Sequence, residues 1–316
     1  MAFLHQHPVR CLGCDVAKDS IVVSDGTTLP QTIANDRRSI GAFVRTCGAD
    51  LVLCEPTGGH ERRLIEACMR AGLPVHRVDT LKLNAFIRSF GTLGKTDAID
   101  AAKLAAYGSE RWSVLPLWAT PDACQQRLKA LVRRRHELIA LKVAEHNRAK
   151  APAPPAAREL AASFKAMLAA IGRQIKAIDA AIERLLAKSP SLNRRIAVCT
   201  TMDGIGAPTA AALIATMPEL GTLSRRQAAA LAGLAPHPRD SGRTRAYRKI
   251  RGGRPEIPTI LFMPALRAAA GKGEFAPFYR RLIQNGKKPM LAIAAVMRKI
   301  IITLNARLRE NTMPQS

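Results

Sequence analysis

Hydrophobic and polar positions over the first hundred residues change period several times, and each change marks an element. Apolar or alternating runs at residues 9–15, 20–24 and 31–34 predict three strands, the first two joined by a tight turn. Residues 39–46 predict a helix, 50–54 an apolar strand stopped by Pro56 and Gly58, 59–71 an amphipathic helix, and 74–79 another buried strand. Two further helices, 81–89 and 96–107, flank a turn at Gly91 and Gly94. Strands interleaved with helices predict a mixed α/β domain over residues 1–112.

A proline-bearing stretch at 113–121 closes that domain, and the period then becomes helical. A basic helix is predicted from about 121 to 150, broken by APAPPAA at 151–157. In the next segment, 158–188, Leu168, Ile171, Ile175, Ile178, Ile182 and Leu185 recur by threes and fours, which is heptad spacing. Two long helices about a proline-rich turn predict an antiparallel coiled-coil hairpin over 113–190, an arm for oligomerisation or for spanning nucleic acid. Residues 191–316 predict a mainly α domain with one irregular interruption.

Charge divides the chain the same way. The net charge is +25, a self-repulsion normally tolerated where the partner is a polyanion. Residues 1–110 hold 13 basic and 12 acidic side chains, whereas residues 111–316 hold 36 and 12. A uniformly basic surface predicts no such step. The seven cysteines lack the paired spacing of a disulfide framework and predict reduced thiols in a cytoplasmic protein. Cys11 and Cys14 form a single C-x-x-C without a second pair, which argues against zinc and for a buried strand. No run of about 18 apolar residues or export leader is present, so no membrane role is expected.

Two constellations carry chemistry. Asp15 ends the first strand, Glu55 follows a later one, and Asp97 and Asp100 stand at i, i+3 on one helix. If the strand ends meet beneath that helix, four carboxylates can converge on one or two Mg2+ ions suited to phosphoryl displacement. Singly, each is an ordinary cap, turn or surface acid; Asp19 and Asp79 are the acids most easily mistaken for members of the set. The second constellation is RDSGRTRAYRKIRGGR at 239–254, with seven basic residues in sixteen. Arg239, Arg243, Arg245, Arg248, Lys249, Arg251 and Arg254 can clamp phosphates, Tyr247 can stack, and Gly242, Gly252 and Gly253 free the backbone to follow a ligand. A solvated basic loop is the plain alternative. Inside it stands Ser241, a candidate nucleophile among arginines, with His237 four residues upstream. TMDGIGAPTAAALIA at 201–215 resembles a helix-hairpin-helix element, in which Gly204 and Gly206 allow helix amides to meet a phosphate.

Together GCDVAKDS with Asp15, CEPTGGHE with Glu55, KTDAIDAAKLA with Asp97 and Asp100, and GLAPHPRDSG with Ser241 resemble the transposases of the insertion sequence 110 family, relatives of the Piv and MooV DNA invertases. The resemblance covers nearly the full length. It implies an RNase H-like (RuvC-like) amino-terminal domain with a DEDD metal site at Asp15, Glu55, Asp97 and Asp100. It further implies a carboxy-terminal transposase domain whose Ser241 becomes covalently joined to DNA. The same resemblance implies donor and target DNA as partners, a noncoding bridge RNA as guide, and dimers assembling to tetramers that compose each active site from two subunits. One departure is Gly253 in RKIRGGRPEIP, where many relatives carry a polar residue.

Three rivals make different demands. A metal-dependent nuclease or junction resolvase uses water as nucleophile and leaves Ser241 a turn residue. A Piv-like invertase shares the chemistry but recognises DNA without RNA. A non-catalytic nucleic-acid organiser needs the basic helices alone and no carboxylate.

Overall fold

The computed structural model describes residues 2–91, 96–120, 122–151, 157–237 and 249–311, and it separates into two compact units, Met1–Thr120 and Pro121–Ser316. Gly94, the prolines of APAPPAA, and Ser241 with Arg239, Gly242, Arg243, Arg245, Tyr247 and Arg248 lie outside the described residues.

In the first unit, β1 (Cys11–Val16), β2 (Ser20–Ser24) and β3 (Gln31–Ala34) form antiparallel neighbours. After α1 (Arg37–Thr46) comes β4 (Leu51–Cys54), and after α2 (Arg62–Arg70) comes β5 (Val75–Arg77). Both later strands join in parallel, giving the order β3-β2-β1-β4-β5. Then α3 (Thr80–Ser89) and α4 (Asp97–Arg111) follow. Alternation along the strands sorts the core into two layers. Leu12, Cys14, Val16, Val52 and Cys54 pack with Ile40, Phe43, Leu64 and Ile65 of α1 and α2. Cys11, Leu51 and Leu53 pack with Leu83, Phe86, Leu104 and Tyr107 of α3 and α4. Cys11 and Cys14 therefore face opposite sides of β1 and cannot grip one ion as a pair. Burial pushes the thiols of Cys54 and Cys68 up to about 12, so both stay protonated and unreactive near neutral pH.

Element ends follow side-chain chemistry more closely than hydrophobic period. The first strand starts at Cys11, because the amides of Val9 and Arg10 donate instead to Asp50 at 2.7 and 2.9 Å. Helix α1 starts two residues before the apolar pattern does, since Asp36 caps it by accepting from the Ser39 amide. Asp79 caps α3 in the same way. Residues 113–120 stay with this unit: Leu117 and Trp118 donate their amides to Ala2 and Val75.

The second unit is helical. Two long helices, α5 (Ala123–Lys150) and α6 (Ala157–Ala187), pack along one another and are tied by an Arg135–Asp179 ion pair. Ile171, Ile182 and Leu185 are buried, and Leu168, Ile175 and Ile178 half-buried, on the stripe that carries the heptads. Next come α7 (Pro190–Thr200), α8 (Ala207–Thr216), α9 (Arg225–Leu231), the short ribbon β6 (Pro236–His237) and β7 (Lys249–Ile250), and then α10 (Glu256–Ala269), α11 (Ala276–Gln284) and α12 (Pro289–Glu310). Alanine-rich α8 is buried at the centre from Ala210 to Ala215, with α5, α7 and α10 against it. Helix α12 is long and apolar enough by composition to cross a membrane, yet Ile293, Val296, Ile300, Ile301 and Leu304 face this core.

Candidate active site

The sheet register brings two of the four carboxylates together. Cys14 pairs with Cys54 across the parallel strands, so one step further Asp15, next to last in β1, comes beside Glu55, just past the end of β4. Each falls at the odd position of its strand, the face covered by α3 and α4, and each is half-buried. Gly13 lets α4 come close. A Cβ there would lie 2.0 Å from the Ala101 carbonyl oxygen and 2.6 Å from the Ala105 nitrogen. Ala101 directly follows Asp100, so this contact fixes the first turn of α4 above the end of β1. Thr96 caps the helix by accepting from the Ile99 amide, and Asp97 and Asp100 complement the positive end of its dipole.

The expected convergence of all four is not met as a single cluster. Among the described residues, no three His, Cys, Asp or Glu side chains stand together closely enough to hold a metal ion. Helix α4 touches β1 through Ala101, Leu104 and Ala105, while Asp97 at its start remains exposed and Asp100 half-buried. Like charges drawn together raise one another's energy, which favours this spread. The donors are all carboxylate oxygens, the chemistry a hard divalent cation requires.

One residue that shapes this site was not singled out in the sequence. Glu61 is only 2% exposed. Its carboxylate accepts from the Thr57 amide and hydroxyl and from the Gly59 amide at 2.8–3.2 Å, and pairs with Arg77 at 3.2 Å. Burial pushes its pKa up, but the hydrogen bonds from its own backbone, Thr57 and Gly59 prevail and hold it below the usual glutamate range. Arg77 in turn lies over the Trp118 ring at 4.7 Å. The loop leaving Glu55 is thus wound around a buried anion, with Gly58 and Gly59 at positive φ of 72° and 116°. The available signal was the second acid of CEPTGGHE following a glycine pair.

In the second unit the stretch of sequence that carries Ser241 runs between the strands of the β6–β7 ribbon, in which Pro236 pairs with Ile250 and His237 with Lys249. Lys249 and Arg251 are exposed and available to an anion. Arg254, expected as a phosphate clamp, is half-buried and engaged within the fold. Its two amino groups reach Glu219 at 2.7 and 2.8 Å, and one also reaches the Thr216 carbonyl at 2.6 Å. Gly253 likewise serves packing: a Cβ there would lie 2.2 Å from the Gly233 nitrogen, so the GLAP and GGR segments touch backbone to backbone. Gly204, at φ 85°, lies against Arg267 and Pro264 of α10, while Gly206 caps an exposed start of α8. Pro208 removes one amide from that helix end, leaving fewer donors than a full helix start offers.

Comparison with known proteins adds an independent line. The sequence profile of the IS116/IS110/IS902 transposase family matches residues 197–280, and the DEDD transposase profile of IS110 elements matches residues 12–152. These spans contain Ser241 and all four carboxylates, respectively. A pilin gene-inverting protein of Moraxella lacunata is 27% identical over 95% of this chain and 96% of its own length, and that of Moraxella bovis matches equally. An IS110 insertion-element protein of Streptomyces coelicolor is 31% identical over 49% of this chain and 38% of its own. The DEDD match implies an RNase H-like fold for the mixed sheet of the first unit.

Proposed function

The chain belongs to the IS110 family of transposases and is a DNA recombinase, and on that footing we propose that it exchanges strands through a covalent phosphoserine at Ser241 with a Mg2+-binding carboxylate set. The observation that supports this most is the β1–β4 register, which sets Asp15 beside Glu55 on the face where α4 begins with Asp97 and Asp100. One or two bound Mg2+ ions would supply charge neutralisation at the scissile phosphate.

The serine step balances without a co-reactant. A bond forms between Ser241 Oγ and phosphorus, a phosphorus–oxygen bond to a sugar breaks, and the serine proton is matched by one taken up at the leaving oxygen. The phosphodiester energy is kept in the phosphoserine, so religation to a new strand needs no nucleotide cofactor. Arg243, Arg245, Arg248, Lys249 and Arg251 neutralise phosphates along the strand, and the exposed start of α8 at Gly206 takes another. The packed pair α5–α6 acts as a coiled-coil arm in a dimer that doubles to a tetramer, working in the cytoplasm on nucleoid DNA, with a noncoding bridge RNA pairing to donor and target.

A reading without RNA is favoured by one observation, the near full-length similarity to a protein named for gene inversion. A recombination assay with RNA from the native host tests both. Wild type should join donor to target, Asp15→Ala and Ser241→Ala should lose joining by more than about a hundredfold, and nuclease treatment of the RNA should abolish site choice. Joining that survives RNA removal supports the invertase-like reading; joining that survives both substitutions overturns the proposal.

A further inference from the structure

The first unit carries almost no net charge, yet one cleft at the carboxyl edge of its sheet is lined by cations. A cavity of about 290 Å³ is bounded by Lys18, Asp19, Asn35, Gly59, His60 and Arg63. Lys18 and Asp19 stand in the turn three and four residues after Asp15, and Gly59 and His60 in the loop after Glu55, so the cleft lies at the same edge of the sheet as the candidate catalytic acids, with Arg63 reaching it from α2. Lys18, His60 and Arg63 are exposed; Asp19 is the one carboxylate on the rim.

A second observation points to a ligand. Asn35 is 4% exposed, and its Nδ2 donates to the carbonyls of Ala17 and His60, which fixes the amide's orientation and ties the two loops together. Its Oδ1 is buried and receives no hydrogen bond from any described residue. An acceptor left so is costly, and a donor brought by a ligand relieves it. Arg63 is held at the cleft by its bond to the Asn35 carbonyl at 2.8 Å, which leaves other N–H groups of the guanidinium for an anion.

We propose that this cleft is a nucleotide subsite: Lys18 and Arg63 hold one phosphate of a bound strand, His60 borders it, and Asn35 Oδ1 accepts from a sugar hydroxyl or base amino group of the same nucleotide. It gives the weakly charged first unit its own grip on the strand at the sheet edge that carries Asp15 and Glu55. The inference rests on reading the chain as a nucleic-acid enzyme, but it concerns binding and is measured without strand joining.

The test uses the full chain and two single-stranded oligonucleotides of one sequence, DNA and RNA, with affinity followed against salt. Lys18→Ala/Arg63→Ala is compared with Arg45→Ala/Arg70→Ala, which removes equal charge from the last turns of α1 and α2. In at least one arm the cleft variant should bind about tenfold more weakly at 0.1 M salt, with the log–log salt slope reduced by about 1–2, while the control changes little. The arm that responds identifies the strand. Equal losses in both variants, or no loss from the cleft variant with either oligonucleotide, overturn the subsite. Native circular dichroism of the cleft variant, whose two side chains are exposed, keeps misfolding from passing as weak binding. Loss of joining in Ser241→Ala with oligonucleotide affinity intact would separate failure of this inference from failure of the recombinase reading.

Discussion

Arg251 and Arg254 stand three residues apart in one basic run and differ in every physical respect that matters. Arg254 closes a two-pronged pair on Glu219, 35 residues away, whereas Arg251 is exposed beside the ribbon. No local pattern distinguishes them, because the distinguishing partner is distant in sequence. Arg254→Ala should lower unfolding stability by about 1–2 kcal/mol, a modest figure because the pair is only partly shielded from water, and Arg251→Ala should leave stability alone while weakening DNA binding. Urea unfolding beside a DNA titration checks both. Burial is the largest influence on the Glu219 pKa and raises it, but the bond and charge of Arg254, the bond from its own backbone amide and the charge of Lys129 together outweigh it, so the net shift is downward. A carboxylate so lowered stabilises the fold above its ordinary pKa near 4.5, and that stability drains away as pH falls through the lower folded value. Wild type should therefore lose more stability than Arg254→Ala between pH 5 and the acid limit of folding; parallel curves would contradict the pair's role.

Elements were more legible than residues. Period-two and period-three runs located the five strands of the first sheet and the long helices of the second unit, because burial on one face leaves that period in the sequence. Ends were less legible, since Asp50 captures the amides of Val9 and Arg10 and Asp36 extends α1 backward, both by single side chains. That Asp15 and Glu55 stand together was only a condition in the sequence and comes from the β1–β4 register, and the helix above them needed Gly13, whose function in GCDVAKDS is a backbone contact invisible to hydrophobic pattern. The Glu61-centred loop was missed for a similar reason: a buried glutamate reads as a surface charge until its donors are known. Gly13→Ala should push α4 off β1, costing about 1–3 kcal/mol or more. Its thermal unfolding midpoint should fall and strand-joining rate with it, while a glycine substitution with room for the methyl, such as Gly172→Ala, where a Cβ meets nothing within 4 Å, should do neither.

At the scale of the whole molecule, charge and fold divide together. The mixed α/β unit is nearly neutral, and the helical unit carries almost the entire positive excess. This arrangement was legible in composition because polyanion binding needs no particular tertiary contact. The proposed chemistry asks both halves to act in one event, an attack by Ser241 that depends on Asp15 and its neighbours. The most direct measurement is to quench the reaction on labelled donor DNA with denaturant, digest the protein, and identify by mass spectrometry any peptide that carries nucleotide. The account predicts a nucleotide-bearing peptide containing Ser241 from wild type, none from Ser241→Ala, and at most a trace from Asp15→Asn. DNA cleaved by wild type with no adduct, or an adduct on another side chain, would contradict it.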